Sequence, residues 1–197
     1  MPKKSVTTLR AFVALDLDSM SARRIARVSD RMRMGSGAPS ATWTPNTKLH
    51  VTLKFMGELP EDAVAPLGKA LGPLAEGKPA PSPSTFRLDA FPRVADARVL
   101  VVELSDARGD LGKLAERVDK LAAKYGVAKE KRAFRPHVTL ARLKLSYDAR
   151  KWLKPELAEV AGELKATHLT LYRSILGQGE EGAEYVPLAR WAFAAVE

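Results

Sequence analysis

The chain has 197 residues, 46% of them hydrophobic and 28% charged, and its lysines and arginines exceed its acidic residues by nine. That balance suits an ordinary globular core and argues against disorder, and the absence of cysteine excludes disulfides, iron–sulfur clusters, thiol nucleophiles and cysteine-based zinc sites. No window reaches the roughly 18 apolar residues of a membrane span, and Arg10 and Asp16 interrupt the apolar start, so a soluble cytoplasmic protein is expected; with no cysteine and three histidines little ligand material remains for a transition metal, and the chain is read as a monomer without cofactor.

Leu9 to Leu17 alternates well enough for a half-buried strand, and Asp18 or Ser19 caps a following helix that reaches about Met34. In that helix Ile25, Val28 and Met32 form an apolar face, while Arg23, Arg27 and Arg31 recur every fourth residue as a basic stripe. A short strand at Ala41 to Thr44 and a longer one from Leu49 to Phe55, ending at Gly57, come next. Pro60 to Leu74 is read as a helix and the Pro-rich run from Lys78 to Ser84 as a surface connector. Strands follow near Phe86 to Phe91 and Arg98 to Leu104, then a helix opened by Asp106 or Asp110 that runs to Tyr125 with Leu111, Leu114, Val118 and Leu121 on one face. The pattern then predicts a strand at His137 to Leu143, a helix over about Tyr147 to Leu164 restarted at Pro155, and strands at Thr167 to Ser174 and Tyr185 to Phe193. The two halves rhyme, each running strand, helix, then a strand that begins His-Val-Thr-Leu.

The charge is uneven. Residues 1–56 and 127–154 each carry a net +7, whereas 57–126 carry −1 and 155–197 carry −4. Folded together, the two basic segments would line a cleft suited to a phosphate-rich partner, although a solvated face is the commoner use of such segments.

All three histidines are followed two residues later by threonine: His50 by Thr52, His137 by Thr139 and His168 by Thr170. Residues i and i+2 of a strand share a face, so each copy presents a polar pair on one side and apolar residues on the other. Two such faces meeting across a cleft supply an acid, a base and two hydroxyls around one phosphate, an inventory for metal-free phosphodiester cleavage near neutral pH. Arg142 is a candidate phosphate clamp. Strict alternation, however, gives it the parity of Leu140, and gives Phe55 the parity of Val51 and Leu53, so a bend would be needed to bring either to the histidine face.

The paired motifs, with Leu9–Asp16, Leu49–Gly57, Phe134–Arg142 and Leu171–Ser174, resemble those of the two-histidine (2H) phosphoesterases, and more closely the RNA 2′,3′-cyclic phosphodiesterases once called 2′-5′ RNA ligases. The resemblance spans nearly the whole chain. It implies an α+β fold with a bilobal pseudo-twofold arrangement over residues 1–197, an antiparallel sheet with helices in each lobe and an active-site cleft between the lobes. It also implies cofactor-free hydrolysis of an RNA 2′,3′-cyclic phosphate to a 2′-phosphomonoester, with reverse 2′-5′ ligation in some members and tRNA fragments among the substrates. Carried over, His50 is the proton donor and His137 the proton acceptor, while Thr52, Thr139 and Arg142 bind substrate. The family pattern does not require His168; whether it, Tyr172 and Ser174 face the cleft is not readable from spacing.

Three alternatives stand beside this reading. They are a 2H enzyme acting on a 2′-5′ oligonucleotide or another cyclic nucleotide, a non-catalytic RNA-binding module, and a three-histidine zinc site. The intact motif pair disfavours the second, and the lack of closely spaced ligands disfavours the third.

Overall fold

The structure is a computed structural model that describes residues 7–35, 40–154, 162–177 and 182–194. Strand β1 (Thr8–Leu17) leads into helix α1 (Ser19–Met34), whose N-terminus is capped by Asp18 accepting the Ser21 N–H at 2.7 Å. After β2 (Ala41–Trp43) come β3 (His50–Pro60) and α2 (Glu61–Leu71), then β4 (Ser84–Arg93), β5 (Asp96–Ser105) and α3 (Asp110–Ala123). The chain closes with β6 (His137–Tyr147), β7 (Ala166–Ile175) and β8 (Glu184–Ala192). Among the described residues no helix is long and apolar enough to cross a membrane.

The strands run in the order β4-β5-β6-β3-β1-β7-β8, every described pairing between them antiparallel, with β2 attached to β6. The expected pair of separate sheets is corrected in one respect: the halves join as a single sheet through one residue pair, Val51 with Val138, on β3 and β6. Helices and strands also interlock across that seam, since α3 packs on β3 and α1 on β6. Ile25, Val28, Leu111, Leu114 and Val118 thereby share one apolar core with Val51, Leu53, Val138 and Leu140.

Three sequence readings change. The half-buried β1 is instead buried on both faces from Ala11 to Asp16, because the core covers one side and Phe12 stacks with Tyr172 and contacts Phe55 on the other. The helix read over Tyr147 to Leu164 is absent from the described part: β6 continues to Tyr147, and Arg150–Trp152 form a single 3₁₀ turn. Asp148 starts that turn by accepting the Arg150 N–H, and Trp152 is buried edge-on to Tyr147 at 5.7 Å, so the chain reverses here instead of entering a helix. Residues 155–161 of that reading lie outside the described residues. Gly57, read as the end of β3, lies inside it at φ 66°, next to a register shift against β1, and the strand runs on to Pro60.

Candidate active site

His50 and His137 open β3 and β6. The side chains of Val51 and Val138 enter the core, so the histidines and the threonines that alternate with them face the other side of the sheet. The antiparallel register set by the Val51–Val138 pair sets His50 across from Thr139 and His137 across from Thr52. Each histidine is held in the same way: the Nδ1–H of His50 donates to the Lys48 carbonyl at 2.7 Å, and that of His137 to the Arg135 carbonyl at 2.8 Å. This fixes the neutral tautomer and leaves Nε2 as the working nitrogen in both rings. His50 Nε2 stands 3.1 Å from the Thr52 hydroxyl, and the Thr139 hydroxyl has no side-chain partner among the described residues.

The doubt over Arg142 and Phe55 is resolved by a pair of matching bulges. In β3, Leu53 is the extra residue between the partners of Ala14 and Val13; in β6, Leu140 is the extra residue between the partners of Val101 and Leu100. Consecutive burial of Leu53 and Lys54, and of Leu140 and Ala141, marks the change of parity. Phe55 and Arg142 therefore turn to the histidine side at equivalent places in the two halves. Phe55 is 64% exposed there, and the positive charge of Arg142 is felt by both histidines.

Each histidine also has a carboxylate directly beside it in the sheet, Asp16 opposite His50 and Glu103 opposite His137. Asp16, 8% exposed, accepts hydrogen bonds from the Thr170 hydroxyl at 2.9 Å, the Tyr172 hydroxyl at 2.7 Å and Arg190 Nε at 2.9 Å. Glu103 is covered by Arg87 at 2.7 Å and Arg135 at 3.1 Å. Sequence reasoning passed over this pair, yet a signal was there: each carboxylate precedes its histidine by 34 residues. Aromatic rings complete the walls, with Phe12, Tyr172 and Tyr185 around His50, and Phe91 edge-on to His137 at 4.9 Å.

Burial is the main cause that lowers both histidines below their usual pKa. Beyond the backbone bond that favours the charged ring in each, the leading charges differ. Asp16 raises His50 against the lowering effect of His137 and Arg142, whereas Arg135 and Arg142 lower His137 ahead of the weaker raising effect of Glu103. His168 lies beside Asp16 in the sheet with its Nδ1 buried and without a hydrogen-bond partner among the described residues, while Tyr172, through Asp16 and its contact with His50, belongs to the site wall. Ser174, on the same strand, pairs with Tyr185 of β8 in the register. Among the described residues no three His, Asp or Glu side chains gather as a metal-ligand group.

An α+β protein whose antiparallel sheet brings two pinned histidines, their threonines and an arginine with no ion pair among the described residues onto one face has the makings of an acid–base phosphoesterase. Residues 18–178 match the model of the 2′-5′ RNA ligase superfamily, and the chain belongs to that family. It is 30% identical over 161 residues to a protein of Aeropyrum pernix named RNA 2′,3′-cyclic phosphodiesterase, covering 78% of this chain and 86% of the relative. A relative of the same name from Escherichia coli is 30% identical over 184 residues, 93% of this chain and 96% of the relative. The crystal structure of Escherichia coli LigT with 3′-AMP superposes with a TM-score of 0.71 at 25% identity, covering 95% of this chain and 99% of that one.

Proposed function

We propose that the protein hydrolyses the 2′,3′-cyclic phosphate at RNA 3′ ends to a 2′-phosphomonoester, in a cleft at the seam between the two halves of the sheet. The observation that carries this reading is the shared pinning of both Nδ1 atoms, which leaves the Nε2 atom of each ring for proton transfer on the same face of the sheet. His137 Nε2 takes a proton from water as the water oxygen bonds to phosphorus. The bond from phosphorus to O3′ breaks, and His50 Nε2–H protonates the leaving O3′. The ring left charged at His137 and the ring left neutral at His50 return to their starting states by exchange with solvent.

The charges beside the rings support this division of labour. Asp16 favours a protonated His50, and Arg135 with Arg142 favours a neutral His137. Thr52 and Thr139 donate to the non-bridging oxygens, and Arg142, free of any ion pair among the described residues, balances the charge that builds on them. The relatives' shared name supports RNA as the substrate, and the superfamily's name supports the reverse step, in which a 2′-5′ bond forms between RNA ends.

The test is to incubate the chelator-treated protein with 2′,3′-cyclic AMP and identify the product. Only 2′-AMP is expected, and His50→Ala or His137→Ala should each lower turnover by about 10² or more. Formation of 3′-AMP, or near-full activity in either variant, would sink the mechanism.

A further inference from the structure

Helix α1 spends its apolar face on the core, but its basic face is not simply solvated. Arg23, Arg27 and Arg33 line a cavity of about 400 Å³ between the helix and residues 43–46, together with Ser29, Asp30 and Trp43. Its size is that of a small-ligand pocket. Three guanidinium groups face a single carboxylate there, and among the described residues none of the four makes an ion pair. Arg33 stands over the Trp43 ring, 5.9 Å from its centroid, so the aromatic face is already part of a cationic surface. Ser29, which lines the cavity, is the second sign of a ligand: the residue is only 4% exposed, and its hydroxyl oxygen has no hydrogen-bond partner among the described residues. Buried hydroxyls nearly always have one.

We propose that this cavity is a second nucleotide subsite, holding a phosphate of single-stranded RNA among the three arginines and a base against Trp43. The inference rests on the reading of RNA as the substrate. Its position fits a strand that starts at the histidines. Thr42 of β2 pairs with Arg142 and Trp43 pairs with Ala141, and consecutive strand residues face opposite sides, so Thr42 belongs to the histidine face and Trp43 to the helix face. β2 pairs with β6 alone among the described strands. RNA leaving the reacting phosphate at Arg142 thus rounds one short strand to reach the cavity. A 2′,3′-cyclic phosphate ends the chain on its 3′ side, so the nucleotide in the cavity lies upstream of the reacting one.

The experiment compares the full-length chain with Arg27→Ala, Arg33→Ala, Trp43→Ala and Trp43→Phe on two substrates. These are 2′,3′-cyclic AMP and a ten-nucleotide oligoadenylate RNA ending in a 2′,3′-cyclic phosphate; binding of the same decamer with a 3′-hydroxyl is read by fluorescence anisotropy. For the decamer, Trp43→Ala should raise KM and Kd about tenfold, the scale of one lost base stack, and Trp43→Phe should restore most of that. Each arginine variant should flatten the log–log salt dependence of Kd by about 0.7, one phosphate's share on a single strand. All four should turn over 2′,3′-cyclic AMP like the parent, which also verifies that they are folded. If the variants bind the decamer as tightly as the parent and with the same salt slope, the subsite is refuted and the patch is left to a partner of another class, such as an acidic protein segment. If the parent hydrolyses neither substrate, the proposed function fails, while the anisotropy series still decides the subsite.

Discussion

Replacing Asp16 by asparagine separates the charge at this position from its hydrogen bonds. Oδ2 of Asp16 accepts from Thr170 and Arg190, and Oδ1 from Tyr172. An asparagine placed with its carbonyl oxygen at Oδ2 keeps the first two bonds, and its amide can donate to the Tyr172 oxygen, because a hydroxyl also accepts. What is lost is the negative charge. Arg190 is half exposed and stays solvated without it, so the stability cost is set by the weakening of charge-assisted bonds, about 1–3 kcal/mol in all. Alanine at the same place strands the Tyr172 hydroxyl and the fully buried Thr170 hydroxyl and should cost about 2–6 kcal/mol. The effect on chemistry has a definite sign. Asp16 raises His50, so its neutralisation lets His50 lose its proton at lower pH, and the basic limb of kcat/KM moves down while the acidic limb, set by His137, stays in place. The assay is kcat/KM for 2′,3′-cyclic AMP from pH 4.5 to 9 in the parent and Asp16→Asn, with urea unfolding of both. A basic limb that does not move, in a variant that unfolds within 3 kcal/mol of the parent, would refute the role given to Asp16.

Arg142→Gln should raise KM for a cyclic nucleotide and shift both limbs of the profile to higher pH, since the Arg142 charge lowers both histidines; an unmoved acidic limb speaks against it. With both histidines lowered, the parent's optimum in kcat/KM should fall below about pH 6.5, with apparent values that belong to the pair. Burial also lowers all three histidines relative to the unfolded chain. The unfolded chain then binds more protons just below pH 6.5, and stability, complete above that pH, should decline as the pH drops through the window; equal urea midpoints at pH 5.5 and 7.5 would contradict this. Lys54, 6% exposed, is held by Asp119 and the Ala128 carbonyl, both at 2.7 Å. Asp119→Ala should therefore cost about 3–5 kcal/mol because it leaves the buried ammonium unpaired, while Lys54→Met should cost less because Asp119, 21% exposed, is still reached by water; the reverse order in urea unfolding would overturn the assignment of Lys54 as a buried paired charge.

The sequence carried the elements and the chemistry in unequal measure. Among the described residues, periodicity located seven of the eight strands and all three α-helices to within a few residues or by overlap, and β2 from its short run alone. It failed after Tyr147, where the described residues form the end of β6 and one 3₁₀ turn in place of the expected helix, and Tyr147 meets Trp152 across a reversing chain. The histidines and threonines were legible because a two-residue spacing on a strand fixes a shared face whatever the strand's neighbours are. Arg142 and Phe55 were not, because parity beyond Leu53 and Leu140 depends on whether a residue is skipped in the hydrogen-bond ladder, and that is decided by the partner strands β1 and β5.

Charge was the least transferable of the sequence signals. The basic excess of residues 1–56 and 127–154 pointed to a single cleft, but Arg23 and Arg27 stand on the helix side of the sheet while Arg142 stands on the histidine side. Sequence alone determined which residue types could handle a proton and a phosphate, since those are properties of imidazole, hydroxyl and guanidinium groups and of their spacing. Only the tertiary structure decided which carboxylate sits beside which histidine, and that Arg142 stands on their face with no ion pair among the described residues. Those relations are made between strands far apart in the chain, and an ionisable group takes its working pKa from the charges and burial that such neighbours impose.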